Sequence, residues 1–246
     1  LYFLLYNLIN GMPYLSYALS GIAPIVIIVT PILCMRVFSE ERKNRTDQLI
    51  FTAPVSPLQI IIGKFLAVAC TFTIAVVFMA FSPIVLEVYG ASALGQNYVA
   101  LLGFYLFGLA CIAIALFVST LTRSQIISVI LSFVILFVGY MMDGILGLIF
   151  TEEYFLTKIL DFLCISKPYQ NFLNGIFDIK ALIYYVLIIV LFIFFIYCVI
   201  QKRRWTMSKQ VLTRSLSRGA SIVLAIAIAV FANLGISYIP DKYMEF

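Results

Sequence analysis

Long apolar stretches alternate with short polar segments along this chain, and the lengths of the apolar stretches predict membrane-spanning helices. A helix needs about 20 apolar residues to cross a bilayer, and six stretches are close to that length. They cover residues 18–38, 58–82, 98–121, 124–147, 179–200 and 218–239. Residues 1–10 are also apolar, and the sequence leaves open whether they end an earlier span or lie on the outer surface. We therefore expect an all-α, polytopic helical membrane protein.

The composition agrees with this expectation and excludes several kinds of chemistry. Of the 246 residues, 64% are hydrophobic and only 11% are charged, whereas an average soluble domain is about 25% charged. Histidine is absent, and the five cysteines lie far apart in the sequence. Ser-His catalysis and histidine-ligated zinc are thereby excluded, so we expect no catalytic residues and no metal ligands.

The charges of the loops predict the orientation of the spans. Most of the 16 basic residues fall in loops on one side of the membrane, and most of the acids fall on the other side. Loops rich in lysine and arginine stay in the cytoplasm, so the loop between the first two spans is cytoplasmic. The basic cluster QKRRW at 201–205 is interpreted as an anchor against membrane lipids.

The cytoplasmic loop "MRVFSEERKNRTDQLIFTAPVSP", residues 35–57, is far more polar than its surroundings. Thr46 is a good N-cap for a helix of about two turns that carries an apolar ridge and ends before Pro54. The ridge consists of Leu49, Ile50 and Phe51. Ser56 and Gln59 form a predicted capping box for the next span, with Pro57 at its first position. The ridge either docks on a partner protein or belongs to a solvated loop.

The outer loop at 151–177 is predicted to contain a second short element. Its first half, "TEEYFLTKILDFL", has the pattern of an amphipathic helix lying at the outer interface. The following "KPYQNFLNGIFD" is expected to break the helical pattern, with Gly175 in a turn and Asp178 capping the next span.

The stretch "MRVFSEERKNRTDQLIFTAPVSPLQIIIGKFLA" resembles the signature region of integral-membrane permeases of type-2 ABC transporters. Within that group it is most similar to the gliding-motility-associated permeases. The segment "NFLNGIFDIKALIYYVLIIVLFIFF" is similar to the family's entry into its last permease span, and the resemblance covers about residues 12–205. Arg45 departs from the pattern, because the family often has glycine there.

This resemblance implies an exporter-like permease bundle of six spans over residues 1–205, whose first span would lie before residue 1 or end within residues 1–10. The helix at 46–53 would be the cytoplasmic coupling helix that contacts a separate ABC ATPase, and the outer amphipathic segment would be re-entrant. ATP and Mg would bind that ATPase. A second permease copy would complete the unit in a bacterial cytoplasmic membrane, and no nucleic-acid partner is expected. The residues expected to couple to the ATPase are Glu40, Glu41, Arg42, Thr46, Leu49, Ile50, Phe51 and Pro54.

Residues 206–246 exceed the permease plan and are interpreted as a linker and an extra transmembrane anchor. The segment resembles the anchor of the gliding-motility auxiliary subunit, which implies a fusion to an auxiliary outer-domain protein; simple anchoring is the alternative. The chain starts at Leu1 rather than at a methionine and stops just beyond an apolar stretch. We therefore expect it to be an internal portion of a longer protein.

Nothing in the sequence predicts hydrolysis of ATP by this chain. "IIIGKFL" contains Gly63 and Lys64, but it lacks the upstream glycine and the following Ser or Thr of a phosphate-binding loop. The expected function is therefore a non-enzymatic permease subunit, and the alternative is a non-transporting scaffold that passes ATPase work to an outer domain.

A few polar residues lie within the predicted spans. They either line a transport pathway or simply form hydrogen bonds within the bundle. These residues are Thr71, Thr73, Ser128, Ser132 and Tyr140.

Overall fold

The computed structural model describes residues 14–44, 56–88, 94–149 and 164–205, together with Phe3, Asn7 and Ile9, but not the side chains of 145–149 and 203–205. Every regular element in these ranges is helical. The helices are α1 (Ser16–Lys43), α2 (Pro57–Met79), α3 (Ser82–Val88), α4 (Leu94–Leu121), α5 (Gln125–Ile149), α6 (Ser166–Leu173) and α7 (Ile179–Trp205). The expected all-α architecture is thus confirmed.

Five of the predicted spans are present as helices that are long and apolar enough to cross a membrane. α1, α4, α5 and α7 each form one such span, while α2 and α3 together form another, with a break at Ala80 and Phe81. All five helices extend past the predicted bounds at one or both ends, because helices continue into the interfacial zone where polar residues are solvated. The chain is therefore a multi-pass membrane protein.

Helix α4 lies at the centre of the bundle and contacts each of the other six helices. Its inward faces carry small side chains that let neighbouring helices approach closely, as is common between helices in membranes. The small residues buried along it include Ala100, Gly103, Gly108, Ala110, Cys111, Ala113, Ala115 and Ser119. By contrast, α5 exposes most of its apolar side chains, with only a narrow face turned towards α1 and α4.

The start of α2 follows the sequence prediction. The Ser56 side chain accepts a hydrogen bond from the backbone N–H of Gln59, and the Gln59 side chain accepts one from the Ser56 backbone, at 3.4 and 3.2 Å. Pro57 occupies the first helical position. The capping box is therefore confirmed, and it fixes where the chain re-enters the bundle after the cytoplasmic loop.

One prediction about the end of the bundle that is expected to face outwards was wrong. The segment 167–178 is predicted to interrupt the helical pattern, but its first seven residues belong to α6, Ser166–Leu173. Pro168 is tolerated because it lies in the first turn, where its missing N–H has no helical partner. Tyr169 and Phe172, three positions apart, point the same face into the bundle and stabilise the helix by burial. Gly175 then adopts a φ of 76°, as expected for a turn.

The remaining predictions about segments fall outside the described residues. These are the helix at 46–53, the amphipathic outer helix within 151–163, and the linker and anchor at 206–246 with its span at 218–239. They stay predictions. The cap of α7 is described, and it is confirmed, because Asp178 accepts a hydrogen bond from the backbone N–H of Lys180 at 2.9 Å.

Candidate functional site

The last two turns of α1 meet α2 at the end of the bundle that the loop charges predict to be cytoplasmic. Glu41 forms an ion pair with Lys64, which enters from the second turn of α2. The Lys64 ammonium also donates to the carbonyl of Val37 at 2.9 Å and lies 4.3 Å from the centre of the Phe38 ring. One turn of α1 thus offers a carboxylate, a carbonyl and an aromatic face to a single cation.

Arg42 connects the end of α1 to the end of α4. Its guanidinium donates to the carbonyls of Thr120 and Leu121 at 2.9 and 2.5 Å. The last carbonyls of a helix lack partners within the helix and carry partial negative charge, so a cation placed there stabilises the terminus. The end of α1 therefore caps the end of α4.

A buried serine strengthens the same junction from the side of α4. The hydroxyl of Ser119 accepts from the backbone N–H groups of Phe38 and Ser39, each at 3.3 Å, and donates to the carbonyl of Met35 at 3.4 Å. Ser119 and Ser39 are both fully buried. The Ser119 side chain of α4 consequently joins the backbone of α1, in addition to the contacts made by Arg42.

The predicted coupling residues are only partly covered by the described structure. Glu41 and Arg42 both contact neighbouring helices, whereas Glu40 is exposed at the surface. The others, which lie outside the described ranges, are Thr46, Leu49, Ile50, Phe51 and Pro54. The contacts of Glu41 and Arg42 described above are made within this chain, so their role towards an ATPase stays a prediction.

The candidate pathway residues divide between two parts of the bundle. Thr71 is exposed on α2, while the hydroxyl of Thr73 lies 3.0 Å from that of Tyr105 on α4. The others follow one face of α5, which packs against α1, α4 and α6 rather than closely against α2. Within a single chain, the five residues therefore do not line one common path.

The face of α5 that carries the other three candidates is partly polar and buried. Ser128 and Ser132 are one turn apart, each 1% exposed, and neither hydroxyl has a hydrogen-bond partner in the described structure. Tyr140 is half-buried and packs edge-on against Phe107, with ring centres 6.3 Å apart. These residues remain candidates for a pathway.

On the outer side, α6 is fixed to the bundle by aromatic side chains. Tyr169 stacks on Phe107 with ring centres 5.0 Å apart, and its hydroxyl donates to the carbonyl of Leu19 at 3.0 Å. Burial raises the pKa of the Tyr169 phenol well above its usual value, so it acts as a neutral donor. Phe172 lies directly against Gly103 of α4. The outer helix thus rests on the same central helix as the cytoplasmic junction.

Sequence reasoning missed two residues of the cytoplasmic junction. Lys64 was considered only as part of a phosphate-binding pattern that the sequence does not complete, and Ser119 was not singled out as a functional candidate. A signal existed for Lys64, because it is a cation two turns into an apolar span and an acid precedes that span on the same side. Ser119 carries no such signal, since serine is common where membrane helices pack.

The described residues contain no group of three or more His, Cys, Asp or Glu side chains placed to hold a metal ion. In a comparison with protein families, residues 9–200 fit the family model described as ABC-2 family transporter protein. No curated protein and no solved structure matches the chain. The family match covers more than half of the chain and includes both the cytoplasmic junction and the outer helix.

Proposed function

This chain belongs to the ABC-2 family of transporter proteins, and on that premise we propose that it is an exporter permease driven by an ATPase docking at residues 46–53. Membership makes the chain a transmembrane permease component, which is not itself catalytic, and the family implies an ATPase partner. Docking at 46–53, binding of ATP and Mg by that partner, and outward transport are our proposals.

The contacts on both sides of the cytoplasmic connection carry this proposal. The α1 flank is held to α2 through Glu41 and Lys64, and to α4 through Arg42, directly before the connection begins. The other flank starts with the capping box of Ser56. A partner that pulls on residues 45–55 therefore acts on helix ends that are already fixed to the bundle, and not on slack chain.

The polarity of the spans supports ATP as the energy source. No Asp, Glu, Lys or Arg is fully buried among the described residues. Carriers coupled to protons or sodium rely on ionisable groups deep inside the membrane, whereas the ionisable groups of the described spans, such as Lys64 and Asp143, lie near the ends of their helices. Energy supplied by a cytoplasmic subunit fits these spans better.

The finer assignments extend the proposal and rest on sequence resemblance. We place the chain in the gliding-motility subfamily, working as a homodimer in a bacterial cytoplasmic membrane. Residues 206–246 would be a linker and anchor that lead to an auxiliary outer domain. Supporting this, the anchor segment is as apolar as the described spans and follows the basic end of α7.

Purification from native membranes tests the central proposal. The tagged chain should bring down an ATPase whose activity depends on the permease, and the double variant Leu49→Asp/Ile50→Asp should abolish both. The matched control is Ile176→Asp/Ile179→Asp, since those side chains are exposed on the opposite side of the bundle. If the first variant keeps both co-purification and ATP-dependent activity, docking at 46–53 is wrong. A wild-type complex that hydrolyses ATP but moves no exported material from proteoliposomes would favour the scaffold.

A further inference from the structure

We propose that Lys64 and Ser119 are positioning residues that make the ends of α1 and α4 and the second turn of α2 move as one body when the ATPase acts. This inference rests on the proposed function and deepens it. It assigns a role to contacts inside the chain, at two residues that the sequence did not connect with energy coupling.

Lys64 closes the base of the cytoplasmic connection. Its three partners, Val37, Phe38 and Glu41, lie within about one turn of α1, and its own helix is the one that resumes after the connection. The side chain is only 19% exposed, so its interactions are screened less by water and salt than those of an ordinary surface pair. The two flanks therefore cannot separate without breaking all three interactions.

Ser119 makes the second tie, towards the centre of the bundle. A hydroxyl that bonds both N–H groups and a carbonyl of a neighbouring helix fixes the rotation of that helix as well as its distance. Arg42 lies about one turn further on and bonds the final carbonyls of α4. Two levels of attachment prevent α1 from tilting about a single contact point.

Together these ties define a route for displacement. A push on residues 45–55 reaches α1 and α2 equally, because Lys64 holds them together. It then passes through Ser119 and Arg42 to α4, and α4 contacts α5, α6 and α7. Without Lys64, the α2 flank would yield alone, and less of the displacement would reach the outer helix α6.

The experiment uses the complex of the full chain with the ATPase that co-purifies with it. Hydrogen exchange of α6 is measured without nucleotide and after trapping with ATP and vanadate, and the difference is normalised to the ATPase bound. In Lys64→Met, which keeps the apolar stem, we expect most of the difference to be lost. Ser119→Ala should reduce it in the same direction.

Matched variants separate positioning from simple stabilisation. Lys202→Met removes an exposed charge at the same end of the bundle, and Thr122→Val removes a hydroxyl that donates to the Val118 carbonyl four residues before it; both should leave the difference unchanged. The swap Glu41→Lys/Lys64→Glu should restore it in part, because the pair is rebuilt but the bond to Val37 is not. That swap also decides the matter if Lys64→Met fails to assemble.

Two results would overturn the inference. One is a Lys64→Met complex that melts earlier but keeps the full exchange difference, which would make Lys64 merely structural. The other is a charge swap that restores nothing. A wild-type complex without any ATPase would instead overturn the proposed function, and this inference with it, so the two failures are distinguishable.

Discussion

Replacing Gly103 with alanine tests how closely α4 and the outer helix α6 approach each other. A β-carbon at this position would lie 2.2 Å from Cβ of Phe172 and 2.6 Å from its Cγ. Because Cβ is fixed to the backbone, no rotation of the Phe172 side chain relieves the clash. Helix α6 must move, and ordinary contact at 3.4 Å requires a displacement of more than an ångström.

The expected cost follows from the packing of the bundle. Overfilling a close-packed interior costs about 1–3 kcal/mol, and a chain of this size loses about 2–4 °C in melting temperature per kcal/mol. Gly103→Ala should therefore melt roughly 2–12 °C below the wild type. The amides of α6 should also exchange faster, because moving α6 strains the bond from Tyr169 to Leu19.

Two other helical glycines serve as controls in the same assay. At Gly63 a β-carbon would meet nothing within 4 Å, so Gly63→Ala should stabilise the chain by about 0.5–1 kcal/mol. At Gly108 it would meet the far end of the Phe72 ring, which can rotate aside; Gly108→Ala should cost less than Gly103→Ala and leave α6 unchanged. The close approach of α4 and α6 is refuted if Gly103→Ala has the same melting temperature as Gly63→Ala and leaves the hydrogen exchange of α6 unchanged.

Three further changes follow from single hydrogen bonds, each checked by melting of the purified chain and by local hydrogen exchange. Asn97→Ala removes the acceptor, 2.8 Å away, of the Leu15 N–H at the start of α1, and should cost about 1–2 kcal/mol; a melting temperature equal to that of the wild type would contradict this. Tyr169→Phe keeps the stacked ring but loses the hydrogen bond to the Leu19 carbonyl, and should lower the stability by about 0.6–1.5 kcal/mol. Unchanged hydrogen exchange at α6 would contradict this. Ser56→Ala should cost about 1 kcal/mol and speed exchange only in the first turn of α2.

The spans could be predicted from the sequence because the thickness of the bilayer sets the number of consecutive apolar residues that a spanning helix needs. The same holds for the caps at Ser56 and Asp178, where a local side chain bonds the adjacent backbone. Local chemistry of this kind is visible in a few consecutive letters.

Helix α6 could not be predicted in this way, because its stability comes from distant partners. Tyr169 and Phe172 are buried against α1 and α4, which lie far away in sequence. Locally, the proline, asparagines and glycine around them are typical of a turn. Tertiary packing overrode that preference, as it often does for short helices.

The candidate site shows the same division. The charges at Glu41 and Arg42 could be assigned to the end of α1, but the sequence does not say that Lys64 and the terminus of α4 would meet them. Those contacts join residues far apart in the chain. The charges of the loops predict on which side of the membrane Glu41 and Arg42 lie, but only the packing of the helices shows which residues they contact.

The position of α4 at the centre of the bundle has a consequence for biogenesis. Helices α1 and α2 leave the ribosome before α4, so the ion pair of Glu41 and Lys64 can form in a two-helix hairpin and shield the cation during insertion. The N–H of Leu15 then gains its acceptor, and the last turns of α1 gain their contact with Ser119, only when α4 follows. A chain interrupted between α2 and α4 would thus present an inserted but unlocked hairpin, open to recognition by membrane quality control.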